Sequence, residues 1–236
     1  MTYKQEILDQ IKGGLIVSCQ ALEDEPLHSS FIMSRMAAAA EEGGAVAIRA
    51  NGPEDITEIQ KTVSLPIIGL WKKDYDDSDI YITPTMDEID ALARANVDII
   101  ATDATDRVRP KGQSLLSFIG DIKAKYPDMI FMADCSTFQE GLKAQKLGFD
   151  MVSTTLSGYT KETAGKILPD FDLLEMLVSS LDIPVVAEGG IWEVDQLQKA
   201  FEIGCHCAVI GSAITRPREI TKRFTDSIKE ISNENR

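Results

Sequence analysis

The chain has 236 residues, 44% of them hydrophobic and 26% charged, the balance of a folded globular protein, which excludes a disordered chain. Lys and Arg number 24 against 38 Asp and Glu, a net charge of −14 with no basic stripe, so a nucleic-acid partner is not expected. No apolar run approaches the roughly 20 residues of a membrane span, and the polar stretch from Met1 to Lys12 lacks the apolar core of a signal peptide, so a cytoplasmic protein without a membrane partner is expected.

Ile7, Leu8 and Ile11 form a short apolar stripe and predict a helix ahead of the first strand, placed to close one end of the fold. The first strand is read over Leu15 to Cys19. Further apolar runs follow at Ala45 to Ile48, Ile67 to Trp71, Val97 to Ala101, Met129 to Ala133, Phe149 to Ser153, Pro184 to Ala187 and Cys207 to Ile210. A helical pattern follows each run. Thr85-Met86-Asp87-Glu88 and Thr137-Phe138-Gln139-Glu140 fit capping boxes at helix starts, and Gly43 and Gly148 fall at helix ends. The repeat of about 20 to 35 residues is that of a strand, a helix and two loops. This predicts an α/β fold, a single (β/α)8 TIM barrel domain over residues 1–236. A doubly wound sheet is the alternative, but it usually has fewer repeats and a clearer glycine-rich first turn.

Three connections after strands are unusually long: Gln20 to His28, Lys73 to Pro84 and Leu156 to Pro169. Long loops are often functional, and barrel active sites lie at this end. Cys19, Cys135, Cys205 and Cys207 are read as free thiols, and Cys205-His206-Cys207 as a helix-to-strand junction rather than a metal site. His28 and His206 show no ligand spacing, and no dinucleotide fingerprint is present. Neither a metal nor another cofactor is expected.

Side chains along a strand alternate between its faces. The pairs Ser18/Gln20, Ala47/Arg49, Leu70/Lys72, Ala101/Asp103, Met132/Asp134, Ser153/Thr155 and Val186/Glu188 each end on a polar residue where a strand emerges. A barrel would gather these seven at one mouth. Glycines let a backbone approach a ligand, and barrels commonly hold phosphate after strands seven and eight. Gly189-Gly190 and Gly211-Ser212 stand there, so a phosphate site is expected at the backbone N–H groups of Gly190, Gly211 and Ser212, with charge from Arg216.

Five segments then carry a family resemblance: Leu15-Ile16-Val17-Ser18-Cys19-Gln20-Ala21-Leu22, Asp24-Glu25-Pro26-Leu27-His28-Ser29-Ser30-Phe31, Ala47-Ile48-Arg49-Ala50, Tyr81-Ile82-Thr83-Pro84-Thr85 and Gly211-Ser212-Ala213-Ile214-Thr215-Arg216-Pro217. The chain resembles bacterial N-acylmannosamine-6-phosphate 2-epimerases over nearly its whole length. The resemblance implies a (β/α)8 fold, no cofactor, and interconversion of N-acetylmannosamine 6-phosphate with N-acetylglucosamine 6-phosphate in sialic acid catabolism. By the same resemblance Lys72 is the catalytic lysine and Glu188 its partner acid. Gln20, Arg49, Asp134 and Arg216 match positions that hold the sugar or its phosphate, and Thr155 joins them from the strand-end set. The expected partner is a small sugar phosphate, and a homodimer is compatible with the sequence.

Epimerisation inverts a carbon next to an aldehyde, which needs a base at C2 and a donor at the oxygen. Lys72 can be that base if burial or a neighbouring cation such as Arg49 lowers its pKa. Glu188 can act as the acid–base group on the other face, assist ring opening or orient Lys72, and the sequence leaves these three roles open. Two other functions also stay open at this stage: another phosphate-barrel enzyme, an aldolase or decarboxylase, and a non-catalytic sugar-phosphate sensor.

Overall fold

Short strands that are apolar on both faces need cover on both sides. The computed structural model of the chain describes residues 2–234 and meets that need by closing the strands on themselves. The order begins α1 (Tyr3–Ile11), β1 (Leu15–Cys19), α2 (Ser30–Glu42), β2 (Ala47–Asn51), α3 (Pro53–Ile59), β3 (Ile67–Leu70), α4 (Met86–Arg94) and β4 (Ile99–Asp103). It continues α5 (Leu115–Lys125), β5 (Ile130–Asp134), α6 (Phe138–Leu147), β6 (Met151–Ser153), α7 (Phe171–Ser180), β7 (Val185–Glu188), α8 (Val194–Ile203), β8 (Cys207–Ile210), α9 (Ser212–Thr215) and α10 (Pro217–Glu234). The eight strands pair in parallel and in sequence order, and β8 returns to β1 with Leu15 opposite Ala208 and Ile16 opposite Val209. The expected (β/α)8 barrel is therefore the observed architecture.

Alternation sorts the strand residues into two cores. Ile16, Ala47, Ile68, Leu70, Ile99, Ala101, Ile130, Met132, Met151, Val186, Cys207 and Val209 fill the barrel interior. Ile48, Ile67, Ile100, Phe131, Val152, Val185 and Ala208 face outward under the helices. The N-terminal helix stands where the sequence put it: Ile7 and Ile11 of α1 join the interior cluster and plug the end opposite the strand C-termini. Burying side chains of this size contributes about 1.5–3 kcal/mol each, so α1 is a structural part of the barrel.

Both expected capping boxes are formed, at Thr85/Glu88 and at Thr137/Glu140. Gly148 ends α6 in the left-handed conformation, whereas Gly43 ends α2 in the right-handed one and Gly44 after it takes the positive φ. Several strands begin later than their apolar runs, because Ala45, Val97 and Phe149 are buried anchors in the turns before β2, β4 and β6. The connection from Lys73 to Pro84 also differs from a plain loop: Lys72 bridges Ile82 and Tyr75 bridges Ser78 in antiparallel fashion, forming a small hairpin over the barrel mouth. The four cysteines are free and buried. His206 turns to the carbonyl of Leu8, while Cys205 and Cys207 belong to the outer and inner cores, so that triplet spans the wall of the barrel. No helix among the described residues is long and apolar enough to cross a membrane.

Candidate active site

The C-terminal ends of the strands surround a cavity of about 430 Å³. Gln20, Arg49, Lys72, Thr155 and Glu188, five of the seven strand-end residues, line it together with Gly190, Gly211, Ser212 and Arg216. Asp134 lies one layer below, fully buried, and reaches the site through Arg49. Asp103 departs from the expected ring of seven. It is fully buried and held by Thr105 and Arg107, its neighbours two and four residues on, and it does not line the cavity.

The floor of the site is a buried charge network. The Arg49 guanidinium donates to both oxygens of Asp134, at 3.2 Å on one side, and its Nη1 also donates to Glu188 Oε2. Thr155 Oγ1 lies 3.0 Å from Asp134 Oδ1 and 2.9 Å from Glu188 Oε2. Thr155 thus braces the two acids from within the network. Burial works against the charge on Arg49, but Asp134 and Glu188 outweigh it and hold the guanidinium protonated, with its pKa raised. One cation between two carboxylates cannot satisfy both. Burial pushes the Glu188 carboxyl up to about 7 against the pull of Arg49, and the negative charge of Asp134 adds to the rise. Glu188 Oε2 is fully engaged, whereas Oε1 has no hydrogen-bond partner among the described residues.

Lys72 stands across the cavity on a different footing. It is half-buried, and its ammonium makes no hydrogen bond or ion pair among the described residues. Burial lowers its pKa to about 8, with Arg216 and then Arg49 adding like-charge repulsion against the attraction of Glu188 and Glu25. Burial and Arg216 therefore matter more than Arg49, the neighbour that strand order suggested. Lys73 points the other way, exposed, with its Nζ 4.4 Å from the centroid of the Trp71 ring.

At the opposite rim, Gly189 and Gly190 both take positive φ, and Gly211 caps the one-turn helix α9 without a side-chain hydrogen bond. A Cβ on Gly190 would sit 2.3 Å from Leu168 Cβ, so only glycine fits there. The Ile214 and Thr215 N–H groups bond back to the Gly211 carbonyl, which leaves Ser212 and Ala213 N–H at the helix start without intrahelical acceptors. Arg216 lies beside them, paired to Glu25 at 2.9 Å. Gln20 Nε2 donates to Ser18 Oγ, and its buried Oε1 has no partner among the described residues. Tyr81, Tyr159 and Trp192 line the cavity as well. Strand reasoning missed these three because they stand in loops. Their signal is position: Tyr81 begins the Tyr81-Ile82-Thr83-Pro84-Thr85 motif, Tyr159 lies in a long connection, and Trp192 stands two residues after the double glycine.

A family model described as "NanE: Putative N-acetylmannosamine-6-phosphate epimerase" matches residues 33–230. A protein of Caldanaerobacter subterraneus named "Putative N-acetylmannosamine-6-phosphate 2-epimerase" is 54% identical over 96% of this chain and 96% of its own length. One of the same name from Clostridium perfringens strain SM101 is 56% identical over 94% of this chain and its full length. A solved N-acetylmannosamine-6-phosphate 2-epimerase from Clostridium perfringens superposes with a TM-score of 0.90 at 56% identity, covering 93% of this chain and 95% of the other.

Proposed function

The chain belongs to the N-acetylmannosamine-6-phosphate epimerase family, and we propose that Lys72 and Glu188 carry out its proton transfers on a sugar phosphate held by the glycine rim. The protein is a C2 epimerase that interconverts N-acetylmannosamine 6-phosphate and N-acetylglucosamine 6-phosphate, a reaction of amino sugar and sialic acid catabolism. This family membership sets aside the aldolase, decarboxylase and sensor readings.

Substrate and product are isomers, so the reaction has only to remove the C2 proton and return one to the opposite face. In the open-chain sugar, neutral Lys72 takes the C2 proton. The C–H electron pair forms a C1–C2 double bond, and charge moves onto the former aldehyde oxygen. A cationic neighbour stabilises that oxygen in a site shielded from water, and Arg49 is the fixed cation on the cavity floor. Protonation of C2 from the other face completes the inversion. Glu188, with a pKa of about 7 and a free Oε1, can give or take a proton at neutral pH. An ion pair would be expected if Glu188 merely oriented Lys72, and none links them among the described residues. We therefore assign Glu188 to proton transfer. The phosphate is assigned to Gly190, Gly211, Ser212 and Arg216. Gln20 offers an acceptor to the sugar, and Asp134 and Thr155 hold Arg49 and Glu188 in place.

The observation that carries this reading is the unpaired Lys72 ammonium, which shares one cavity with the Glu188 carboxyl anchored by Arg49 and Thr155. The test is incubation with N-acetylmannosamine 6-phosphate in D₂O followed by proton NMR. Deuterium should enter C2 of both isomers as they interconvert. Conversion without exchange at C2, or a borohydride-trapped adduct on Lys72, would overturn the reading.

A further inference from the structure

Lys72 lies two residues beyond Leu70, the end of β3, so the barrel ladder does not fix it. The hairpin described above does. Lys72 N–H donates to Asn51 Oδ1 at 2.8 Å, and Lys72 bridges Ile82. On either side, Lys73 N–H donates to the Tyr81 carbonyl and Thr83 N–H to the Trp71 carbonyl, both at 2.9 Å.

Thr83 is the pivot of this ladder. Its hydroxyl accepts from Trp71 N–H at 3.1 Å and donates to the Ala101 carbonyl at 2.7 Å, which ties the hairpin to β4. Thr83 is fully buried and has a φ of 46°, a left-handed conformation that β-branched residues rarely adopt. Such a conformation persists where surrounding contacts overdetermine it. Here those contacts are donors aimed at the hairpin carbonyls. Thr102 Oγ1 donates to Thr83 O at 2.9 Å, and the Arg109 guanidinium reaches Thr83 O at 3.4 Å, Pro84 O at 2.8 Å and Asp103 O. Arg109 is 1% exposed, stacks 3.9 Å from the Phe118 centroid and forms no ion pair among the described residues. A buried cation is costly, and Asp103, already paired to Arg107, attracts this one only from beyond ion-pair distance. Arg109 is used on the carbonyls that shape the return strand of the hairpin. Thr83 and Arg109 do not line the cavity, and neither does Asn51.

We propose that Thr83, clamped by Arg109 and Thr102, together with Asn51, forms a positioning set that holds Lys72 at the reacting carbon without touching the substrate. This rests on the reading of Lys72 as the base. Misplacing a proton-transfer group by about 1 Å can cost roughly 10²-fold in rate.

The experiment measures kcat, KM and C2 deuterium exchange with N-acetylmannosamine 6-phosphate for Thr83→Val, Thr83→Ser and Asn51→Ala, with Lys72→Ala as control. Thr83→Val keeps the shape and loses the hydroxyl. Its kcat should fall about tenfold or more with KM within about threefold, and Thr83→Ser should recover most of the loss. Asn51→Ala should lower kcat by roughly fivefold at unchanged KM, and it decides the matter if Thr83→Val does not fold. Native kcat in the folded variants, or a KM rise that accounts for the loss, would overturn the proposal. So would equal losses in Thr83→Val and Thr83→Ser. If Lys72→Ala retained exchange, the base assignment itself would fail. If Lys72→Ala were silent while the other variants stayed native, only the positioning set would fail.

Discussion

Lys72 and Lys73 leave β3 as neighbours and end on opposite sides of the barrel wall: Lys72 lines the central cavity, and Lys73 lies over the Trp71 indole on the outside. Strand parity predicts that distinction, and the hairpin beyond β3 maintains it. An exposed cation over an aromatic ring is worth about 0.5–1 kcal/mol, so Lys73 has a modest structural role and none at the reacting carbon. Lys73→Ala should keep kcat and KM within about twofold and lower stability by no more than roughly 1 kcal/mol. Steady-state kinetics and a thermal melt check both. A large kcat loss in Lys73→Ala would refute the parity argument.

The parts of the protein legible in the sequence follow this same rule. Period-two alternation located Arg49, Lys72, Asp134 and Glu188 because a barrel strand offers its side chains only two directions. Asp103 broke the pattern because Arg107, four residues later, captures it, and such local pairing is invisible to a rule about strand faces. Thr155 obeyed parity, yet its hydroxyl is occupied by Asp134 and Glu188. Direction can be read from a sequence, but which partner wins a hydroxyl depends on chains brought together by folding. The hairpin from Lys72 to Thr83 shows in the sequence only as a long connection because its pairing is too short for periodicity to register, and Thr83 and Arg109 are joined only in three dimensions.

The lowered pKa of Lys72 has a definite signature in pH. With neutral Lys72 as the base and protonated Glu188 as the donor, kcat/KM for N-acetylmannosamine 6-phosphate should follow a bell, with an acid limb near 7 and an alkaline limb whose midpoint lies near 8. Arg216 is the first cation among the causes of that lowering, after burial. Arg216→Met should therefore move the alkaline midpoint to higher pH and raise KM as well. The same shift is linked to stability. Between about 8 and 10.5 the unfolded chain keeps a proton on Lys72 that the folded chain has released, so this residue makes stability rise with pH across that window. Comparing melting temperatures of the parent and Lys72→Met from pH 7.5 to 10.5 isolates the slope. A pH profile whose alkaline midpoint ignores Arg216→Met would contradict the assignment.

The two glycine sites should fail in different ways. Gly190 has a φ of 73°, and a Cβ there would meet Leu168 Cβ at 2.3 Å, so Gly190→Ala should destabilise the fold itself, by about 1–3 kcal/mol. Gly211 has a negative φ, and a Cβ there would stand 3.3 Å from Ser18 Cβ, a tight contact that a small shift of Ser18 relieves. Gly211→Val should fold, yet push its methyl groups into the rim and weaken sugar-phosphate binding by roughly tenfold or more, about 1.4 kcal/mol. Calorimetric titration beside thermal melts separates the two effects. A ligand-bound structure with the phosphate elsewhere in the barrel would remove the basis of the Gly211 prediction.

Removing the Lys72 amine should stop the chemical step and leave the binding rim intact. The Lys72 ammonium has no hydrogen-bond or ion-pair partner among the described residues to lose, and replacing it leaves no orphaned carboxylate, because Glu188 is already held by Arg49 and Thr155. Lys72→Ala should therefore fold normally and bind substrate within roughly tenfold, while kcat falls by about 10² to 10⁴ or more, the range for losing a positioned acid–base group. Solvent deuterium should enter C2 of N-acetylmannosamine 6-phosphate with the parent enzyme and not with Lys72→Ala. Glu188→Gln is a harder test, because it keeps the shape and a hydrogen-bonding oxygen but cannot exchange a proton. A second proton-transfer group predicts a kcat loss of about 10² or more with KM nearly unchanged. A purely electrostatic anchor for Arg49 predicts instead that Glu188→Gln weakens binding and stability together. Near-native C2 exchange in Lys72→Ala, with loss of exchange in Lys73→Ala, would reverse the assignment of the two lysines.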